Sequence, residues 1–397
     1  MHIAWLGKKS PFCGNVTYGR EITNALIDRG YDVSFFHFSQ GATDGGSPAH
    51  LRAERARHIS LPCLYKSTLY TIPTLKSQQV LADALRQLQP DIVHASLALS
   101  PLDFVLPDIC RELGIPSVAT FHPPFARRRW NLTSNTQHFA YQFHAPCLAK
   151  YDMTIVFSQV QRDLLVQLGV PPDRVVVIPN GVDAKKYSPG ASELKLQVRT
   201  ERVFLYQGRI SIEKNVESLL KAWRLAKMGE TCRLLIVGDG PLAEPLRASY
   251  GEADGVRWLG YVADERRRIE ILRGADVFSQ PSFVEGLSLS LLEAMACGIA
   301  CIATDVGADG EVLDKGAGIV LDPQKVTAQL QTILPLLRDH PEMAGILSYK
   351  ARQRVLERYT LEGNINRLEG LYASFTDREG VGHREAAQTL ARPSVDI

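Results

Sequence analysis

Nowhere in the 397 residues do eighteen apolar residues follow one another, so no helix able to span a bilayer is expected. A charged-then-apolar leader is missing as well, because Met1 passes straight into the strand-like HIAWLG. The seven cysteines are an odd set spread from Cys13 to Cys301. They form neither a CxxC pair nor a zinc-ribbon spacing, which points to reduced, buried thiols in a cytosolic setting. Excess charge is lacking too: a net +2 and a pI near 8.1 leave no overall attraction to nucleic acid. There is no D-x-D and no cluster of His, Asp and Glu at metal-ligand spacing, so no metal and no other cofactor is expected. In the first strand-to-helix loop the dinucleotide GxGxxG is absent, since Gly7, Gly14 and Gly19 stand too far apart.

What is present is the pattern of a globular enzyme of more than one core, with 45% hydrophobic and 22% charged residues. HIAWLG, DVSFFHF, DIVHASL, SVATFH and MTIVFS read as buried strands separated by amphipathic stretches such as YGREITNALIDRGY. After PNGVDAKKYSPG the alternation restarts with RVFLYQG, RLLIVG, VRWLG, DVFSQP, IACIATD and GIVL. Short apolar runs alternating with helical periodicity predict an α/β protein with two doubly wound parallel sheets in succession, hinged near Pro189. The expected divisions are 1–180, 181–359, a helix over 360–376 returning to the first domain, and a polar, aperiodic, disordered tail over 377–397.

Ligands of such sheets collect at the carboxyl ends of strands. Gly14 and Asn15 follow the first strand and open a helix, where backbone N–H groups can meet an anion or simply make a turn. Arg209 and Lys214 follow VFLYQG beside a second helix start, which suits a diphosphate; a solvated pair or a salt bridge to Glu213 would suit the same residues. LLIVGDGPL places Gly238 in a tight turn after a further strand. In FVEGLSLSLLEAMACG, Glu285 lies in a loop with Gly286, Leu287 and Ser288, ahead of a helix carrying Glu293. Carboxylates accept paired hydrogen bonds from sugar hydroxyls, so the two glutamates fit a hydroxyl-rich ligand, with the helix N-terminus between them open to phosphate oxygens. His122 in TFHPPF ends a strand ahead of two prolines, a setting that serves a site residue or a core histidine equally.

GRISIEKN, VGDGPL, FVEGLSLSLLEAMACG and CIATDVGADGEVL, following VIPNGVD, resemble in order the motifs of the retaining glycosyltransferase family 4 on the GT-B fold. That resemblance spans nearly all of residues 1–375. It implies that Arg209 and Lys214 neutralise the diphosphate of a nucleotide sugar and that Glu293 binds the ribose. It also implies that Glu285 holds the transferred hexose, helped by the amides of Gly286 and Leu287. From the first domain, Gly14 would give a backbone N–H to the diphosphate and His122 would face the sugar. The family's frequent Gly-Gly in the first loop is Cys13-Gly14 here. The implied transfer is retaining and needs no metal, the departing diphosphate being met by Arg209, Lys214 and helix dipoles.

The Arg127-Arg128-Arg129-Trp130 run, followed by Phe139, Tyr141 and Phe143, fits an anionic membrane interface, or else a solvated run ahead of a core helix. The first domain, especially HIAWLGKKSPFCGNVTYGREITNAL and STLYTIPTLKS, resembles the cyanobacterial digalactosyldiacylglycerol synthases within that family. It implies a UDP-galactose donor, a monogalactosyldiacylglycerol acceptor and peripheral attachment at the cytoplasmic side of a thylakoid or plasma membrane. A soluble-acceptor transferase and a non-catalytic nucleotide-sugar binder are the other readings these residues leave open.

Overall fold

Near-continuous apolar runs make strands buried on both faces, as parallel sheets covered by helices require. The computed structural model describes residues 1–10, 14–40, 55–67, 70–97, 99–125 and 132–376. Its first sheet holds β1 (His2–Leu6), β2 (Asp32–Ser39), β3 (Arg57–Lys66), β4 (Thr71–Pro73), β5 (Ile92–Ser96), β6 (Ser117–Thr120), β7 (Met153–Val156) and β8 (Val175–Val177). The spatial order is β4-β3-β2-β1-β5-β6-β7-β8, every pairing parallel except that of β4 on β3. The second sheet holds β9 (Arg202–Gln207), β10 (Cys232–Val237), β11 (Val256–Gly260), β12 (Val277–Gln280), β13 (Ala300–Thr304) and β14 (Ile319–Leu321). Its order is β11-β10-β9-β12-β13-β14, parallel throughout.

Two units result. The first comprises the described residues of Met1–Pro123, Asn131–Ile178 and Asn364–Ile397, the second those of Pro124–Trp130 and Pro179–Gly363. The division at Ile178 falls ahead of the expected hinge at Pro189, because the intervening segment packs on the second unit. Gly181 has no room for a side chain there, a Cβ meeting the Thr360 carbonyl oxygen at 2.6 Å, and the Val182 N–H donates to the Tyr359 carbonyl at 2.9 Å. Pro124 and Phe125 also belong to the second unit, which the continuous division at 180 does not anticipate. The helix Leu361–Thr376 joins the first unit from Asn364 onward: Tyr372 is fully buried and bonds His94, and Arg29 pairs with Glu369. The expected tail over 377–397 lies outside the described residues.

In each unit the chain starts in the middle of the sheet, winds outward one way and returns to wind the other. The order therefore reverses between β1 and β5, and again between β9 and β12. At such a reversal the loops leave toward opposite faces and open a crevice at the carboxyl ends of the strands. Cores lie under the sheets, around Trp5, Phe36 and Tyr372 in the first unit and around Phe204, Trp223 and Leu234 in the second. The thiols of Cys63, Cys110, Cys147, Cys232, Cys297 and Cys301 are free and buried. Among the described residues, no helix is long and apolar enough to cross a membrane.

Candidate functional site

In the second unit the loops after β9 and β12 are stitched together at the reversal. The Phe283 N–H donates to the Glu213 carbonyl at 2.8 Å, and Asn215 Nδ2 donates to the Pro281 carbonyl at 3.0 Å. Asn215 takes a left-handed backbone, φ 51°, which its short polar side chain tolerates better than most. This stitching brings Lys214 to Glu285 across 71 residues, Nζ to Oε1 at 2.7 Å. The partner of Lys214 is thus Glu285, and the contact with Glu213 is electrostatic only.

Glu285 is 7% exposed, and one of its oxygens takes the whole load. Oε1 receives Lys214 Nζ, Gln280 Nε2 at 2.5 Å and Ser282 Oγ at 2.7 Å. Oε2 accepts no hydrogen bond among the described residues, so the carboxylate is anchored at one end and presents the other. Burial works against the Lys214 charge, yet Glu285 and the more distant Asp309 hold its pKa above the ordinary lysine value. Next along the chain, the N–H groups of Gly286 and Leu287 meet no protein acceptor among the described residues. They precede the helix Leu289–Ala296, capped by Ser288 Oγ accepting from the Leu291 N–H at 3.3 Å.

Glu293 lies on that helix, half-buried, and accepts from Gln207 Nε2 at 3.1 Å. Gln207 is the last residue of β9, and its buried Oε1 has no partner among the described residues. Arg209, two residues further, is exposed and makes no ion pair among the described residues. Gly238 does something other than offer its amide, because its N–H already donates to the Gly260 carbonyl at 2.8 Å. Its φ of +133° and the position of the Gly208 carbonyl oxygen, 1.8 Å from where a Cβ would stand, let the turns after β9 and β10 close on each other.

Sequence reasoning missed Asp309. Fully buried, it accepts from the Ser288 N–H at 3.0 Å through Oδ1, while Oδ2 has no partner among the described residues. Burial and the nearby Glu285 charge push its pKa well above the carboxylate range, against the pull of the Ser288 N–H and Lys214. Its only signal was a polar residue in the glycine-punctuated loop after β13. Gln280 was legible in principle, as a buried amide at a strand's carboxyl end.

In the first unit Gly14 is the exposed first residue of the helix Gly14–Asp28, and nothing stands within 4 Å of where its Cβ would lie. Asn15, Ser96 and His122 meet at the β1/β5 reversal in a chain whose protons can be assigned. Asn15 Nδ2 donates to the Leu97 carbonyl at 3.1 Å, which fixes the amide and turns Oδ1 toward Ser96. The Ser96 hydroxyl spends its proton on that oxygen at 2.7 Å. His122 Nε2, 2.8 Å from the same hydroxyl, must then be the donor. The ring is therefore the Nε2–H tautomer, and Nδ1, which meets no donor among the described residues, keeps its lone pair. Burial, and then the nearby Lys8 charge, push the His122 pKa down to about 3, keeping it neutral. His94 beneath it is likewise held near 3, by burial and then by His122. Arg127, Arg128, Arg129 and Trp130 lie outside the described residues. Among the described residues no three His, Cys, Asp or Glu side chains converge as metal ligands.

Comparison with known proteins places these two crevices in a family context. Residues 14–186 match the model described as Glycosyltransferase Family 4, and residues 193–354 that described as Glycosyl transferases group 1. The chain is 25% identical over 333 residues to the UDP-Gal:alpha-D-GlcNAc-diphosphoundecaprenol alpha-1,3-galactosyltransferase of Escherichia coli, covering 80% of this chain and 84% of that protein. It is 28% identical to the MMP alpha-(1->4)-mannosyltransferase of Mycolicibacterium hassiacum, covering 94% of this chain and 98% of that one. Among solved structures, Anabaena Alr3699/HepE in complex with UDP superposes with a TM-score of 0.75 at 18% identity, covering 94% of this chain and 100% of that chain. Sucrose-phosphate synthase from Thermosynechococcus elongatus gives 0.74 at 23%, covering 94% and 99%. At these identities the superpositions speak for the fold, which is GT-B.

Proposed function

We propose, for a chain that is a GT-B glycosyltransferase with a family 4 half and a group 1 half, that it moves a hexose from a UDP-sugar to a glycolipid hydroxyl with retention. The observation that carries this reading is Glu285. Its Oε1 is anchored by three donors while, among the described residues, Oε2 accepts no hydrogen bond and the neighbouring amides of Gly286 and Leu287 meet no acceptor. One carboxylate oxygen for a sugar hydroxyl and two amides for oxyanions is what a sugar diphosphate asks of a protein. Lys214 keeps two further N–H donors for the phosphates and Arg209 adds a guanidinium that makes no ion pair among the described residues, so the developing charge has cationic partners without a metal ion. Glu293, oriented by Gln207, would take the ribose hydroxyls. Anabaena Alr3699/HepE is known with UDP and with UDP-glucose, which supports a uridine donor here.

The donor sugar we favour is galactose and the acceptor monogalactosyldiacylglycerol, giving digalactosyldiacylglycerol, on the strength of the first-domain resemblance. The enzyme would work as a peripheral protein at the cytoplasmic face of a membrane. Incubating the purified chain with radiolabelled UDP-galactose and monogalactosyldiacylglycerol micelles in EDTA tests donor, acceptor and metal independence together. Labelled digalactolipid is expected. Rescue only by added Mg²⁺ would remove the metal-free reading, and label appearing on a soluble sugar alone would remove the lipid acceptor. Glu285→Gln, which keeps the side chain's shape, should lower turnover by about 100-fold, the scale of one preorganised electrostatic contact. UDP affinity, read by calorimetry, should stay within a few-fold of wild type; unchanged turnover would refute the assigned role.

A further inference from the structure

The antiparallel pairing of β4 on β3 makes a hairpin at the edge of the first sheet, and its side chains are the reverse of what an edge strand usually shows. Leu64 is 68% exposed, Tyr65 and Tyr70 are each 45% exposed, Ile72 is 41% exposed, and Leu75 is fully exposed. A bulge helps to aim them. Cys63 faces Pro73 and Tyr65 faces Ile72, so Leu64 is an extra residue with no partner on β4. The Tyr65 and Tyr70 rings lie against each other, centroids 5.5 Å apart. Two cations, Lys66 at the end of β3 and Lys76 just after β4, flank these apolar side chains, and residues 58–82 contain no Asp or Glu.

We infer that the β3–β4 hairpin is the surface by which the first unit docks on an anionic lipid bilayer. Leucine and isoleucine enter the headgroup boundary, tyrosines sit at its polar level, and lysines meet the negative surface. Exposed aliphatic and aromatic side chains flanked by Lys66 and Lys76 match that chemistry. A second copy of the chain fits it poorly, because β4 is three residues long and ends in Pro73, which blocks strand addition at this edge. The hairpin also stands where a lipid acceptor would need it. β3 runs parallel to β2 and β1, so its carboxyl end lies at the edge of the sheet that carries Asn15, Ser96 and His122. Lys66 Nζ donates to Ser10 Oγ in the loop after β1 at 2.8 Å, and the Thr71 N–H reaches the Leu99 carbonyl after β5 at 3.5 Å. The inference deepens the glycolipid reading above by naming the surface that delivers the acceptor.

The test is sedimentation of the full chain with phosphatidylcholine vesicles, with and without phosphatidylglycerol. Binding should require phosphatidylglycerol and weaken with salt. Lys76→Gln should reduce it roughly fivefold, the effect of one charge near such a surface. The pair Tyr70→Ser and Leu75→Ser should reduce it by roughly tenfold or more. Both side chains are exposed, so folding and slow hydrolysis of UDP-galactose in detergent should be unchanged in that variant. Equal sedimentation of wild type and the serine pair would overturn the inference. So would a dimer in sedimentation velocity that the same pair dissolves, since a second copy would then occupy the face. Vesicle binding that depends on the hairpin, alongside no transfer to a glycolipid, would leave the docking surface standing and remove the proposed acceptor. Transfer to micellar lipid without vesicle binding would do the opposite.

Discussion

The Ser96 hydroxyl has one proton to give, and because Asn15 is turned by the Leu97 carbonyl, that proton is committed before any ligand arrives. His122 is left with a single arrangement, Nε2–H to Ser96 and Nδ1 as an acceptor. Two polar residues that touch no part of the His122 backbone thus set what its free nitrogen can recognise, a donor such as a hydroxyl. Long-range proton–nitrogen correlation spectra of histidine-labelled protein should show His122 protonated on Nε2 alone, unchanged from pH 8 down to about pH 5. Ser96→Ala should release the ring into a mixture of tautomers and lower kcat roughly three- to tenfold, the weight of one neutral hydrogen bond. Ser96→Thr should restore both. A pure Nδ1–H ring in wild type would contradict the assignment. Nothing in TFHPPF distinguishes this from a core histidine. The deciding partners sit 26 and 107 positions away in the chain, and only the sheet order brings them together.

At the scale of elements, the second unit's crevice depends on places where backbone meets backbone. At Gly238 a Cβ would stand 1.8 Å from the Gly208 carbonyl oxygen, in a backbone conformation that L side chains rarely adopt. Gly238→Ala must push the turn after β9 away from the turn after β10. The first carries Arg209 and leads to Lys214, so UDP affinity should fall and the loss of stability should be about 3 kcal/mol or more. Thermal melting with and without UDP checks both, and a variant that melts and binds like wild type would show that the turns tolerate separation. Strands were the most legible elements in the sequence, because fully buried parallel strands are short and almost wholly apolar. β3 was not legible, since a strand next to the sheet edge with exposed leucine and tyrosine beside Pro62 breaks that pattern. β4 and β8, at three residues each, are too short to carry any. The placement of the glutamates was legible, Glu285 in the loop after a strand and Glu293 on the helix that follows. That Glu285 would be pinned through one oxygen by Lys214 was not, because the pair spans two loops joined only by β9 and β12 lying side by side.

For the whole molecule, pH should act through the two buried histidines of the first unit. Both have folded pKa values near 3 against an ordinary 6.5, so the unfolded chain takes up protons that the folded one refuses. The sign follows: their contribution is full above about pH 6.5 and is lost as pH falls toward 3, by about 1 to 3 kcal/mol per pH unit for two protons. In scanning calorimetry, the transition that His94→Gln displaces belongs to the first unit. Its midpoint should drop on acidification through that window, less steeply in the variant. A midpoint indifferent to pH there would mean that the histidines are hydrated. Two sheets in succession were readable from the restart of alternation after residue 190, and so was the helix after residue 360, although nothing in its pattern fixed its return to the first unit. The change of unit after Ile178 lies two residues ahead of the expected division at 180, whereas the hold of Tyr359 and Thr360 on Gly181 and Val182, which keeps the segment up to Pro189 on the second unit, was not readable because those partners are remote in sequence.

That return has a bearing on how the protein is made. His94 finds its hydroxyl partner in Tyr372, and the core of the first unit closes only with the helix Leu361–Thr376. During synthesis the second unit, continuous from Pro179 to Gly363 apart from the short stretch at Pro124 and Phe125, can emerge and settle while the first still waits for its last helix. The half begun first on the ribosome is finished last, and until then it holds an unfilled apolar seam that a chaperone or a neighbouring nascent chain could occupy.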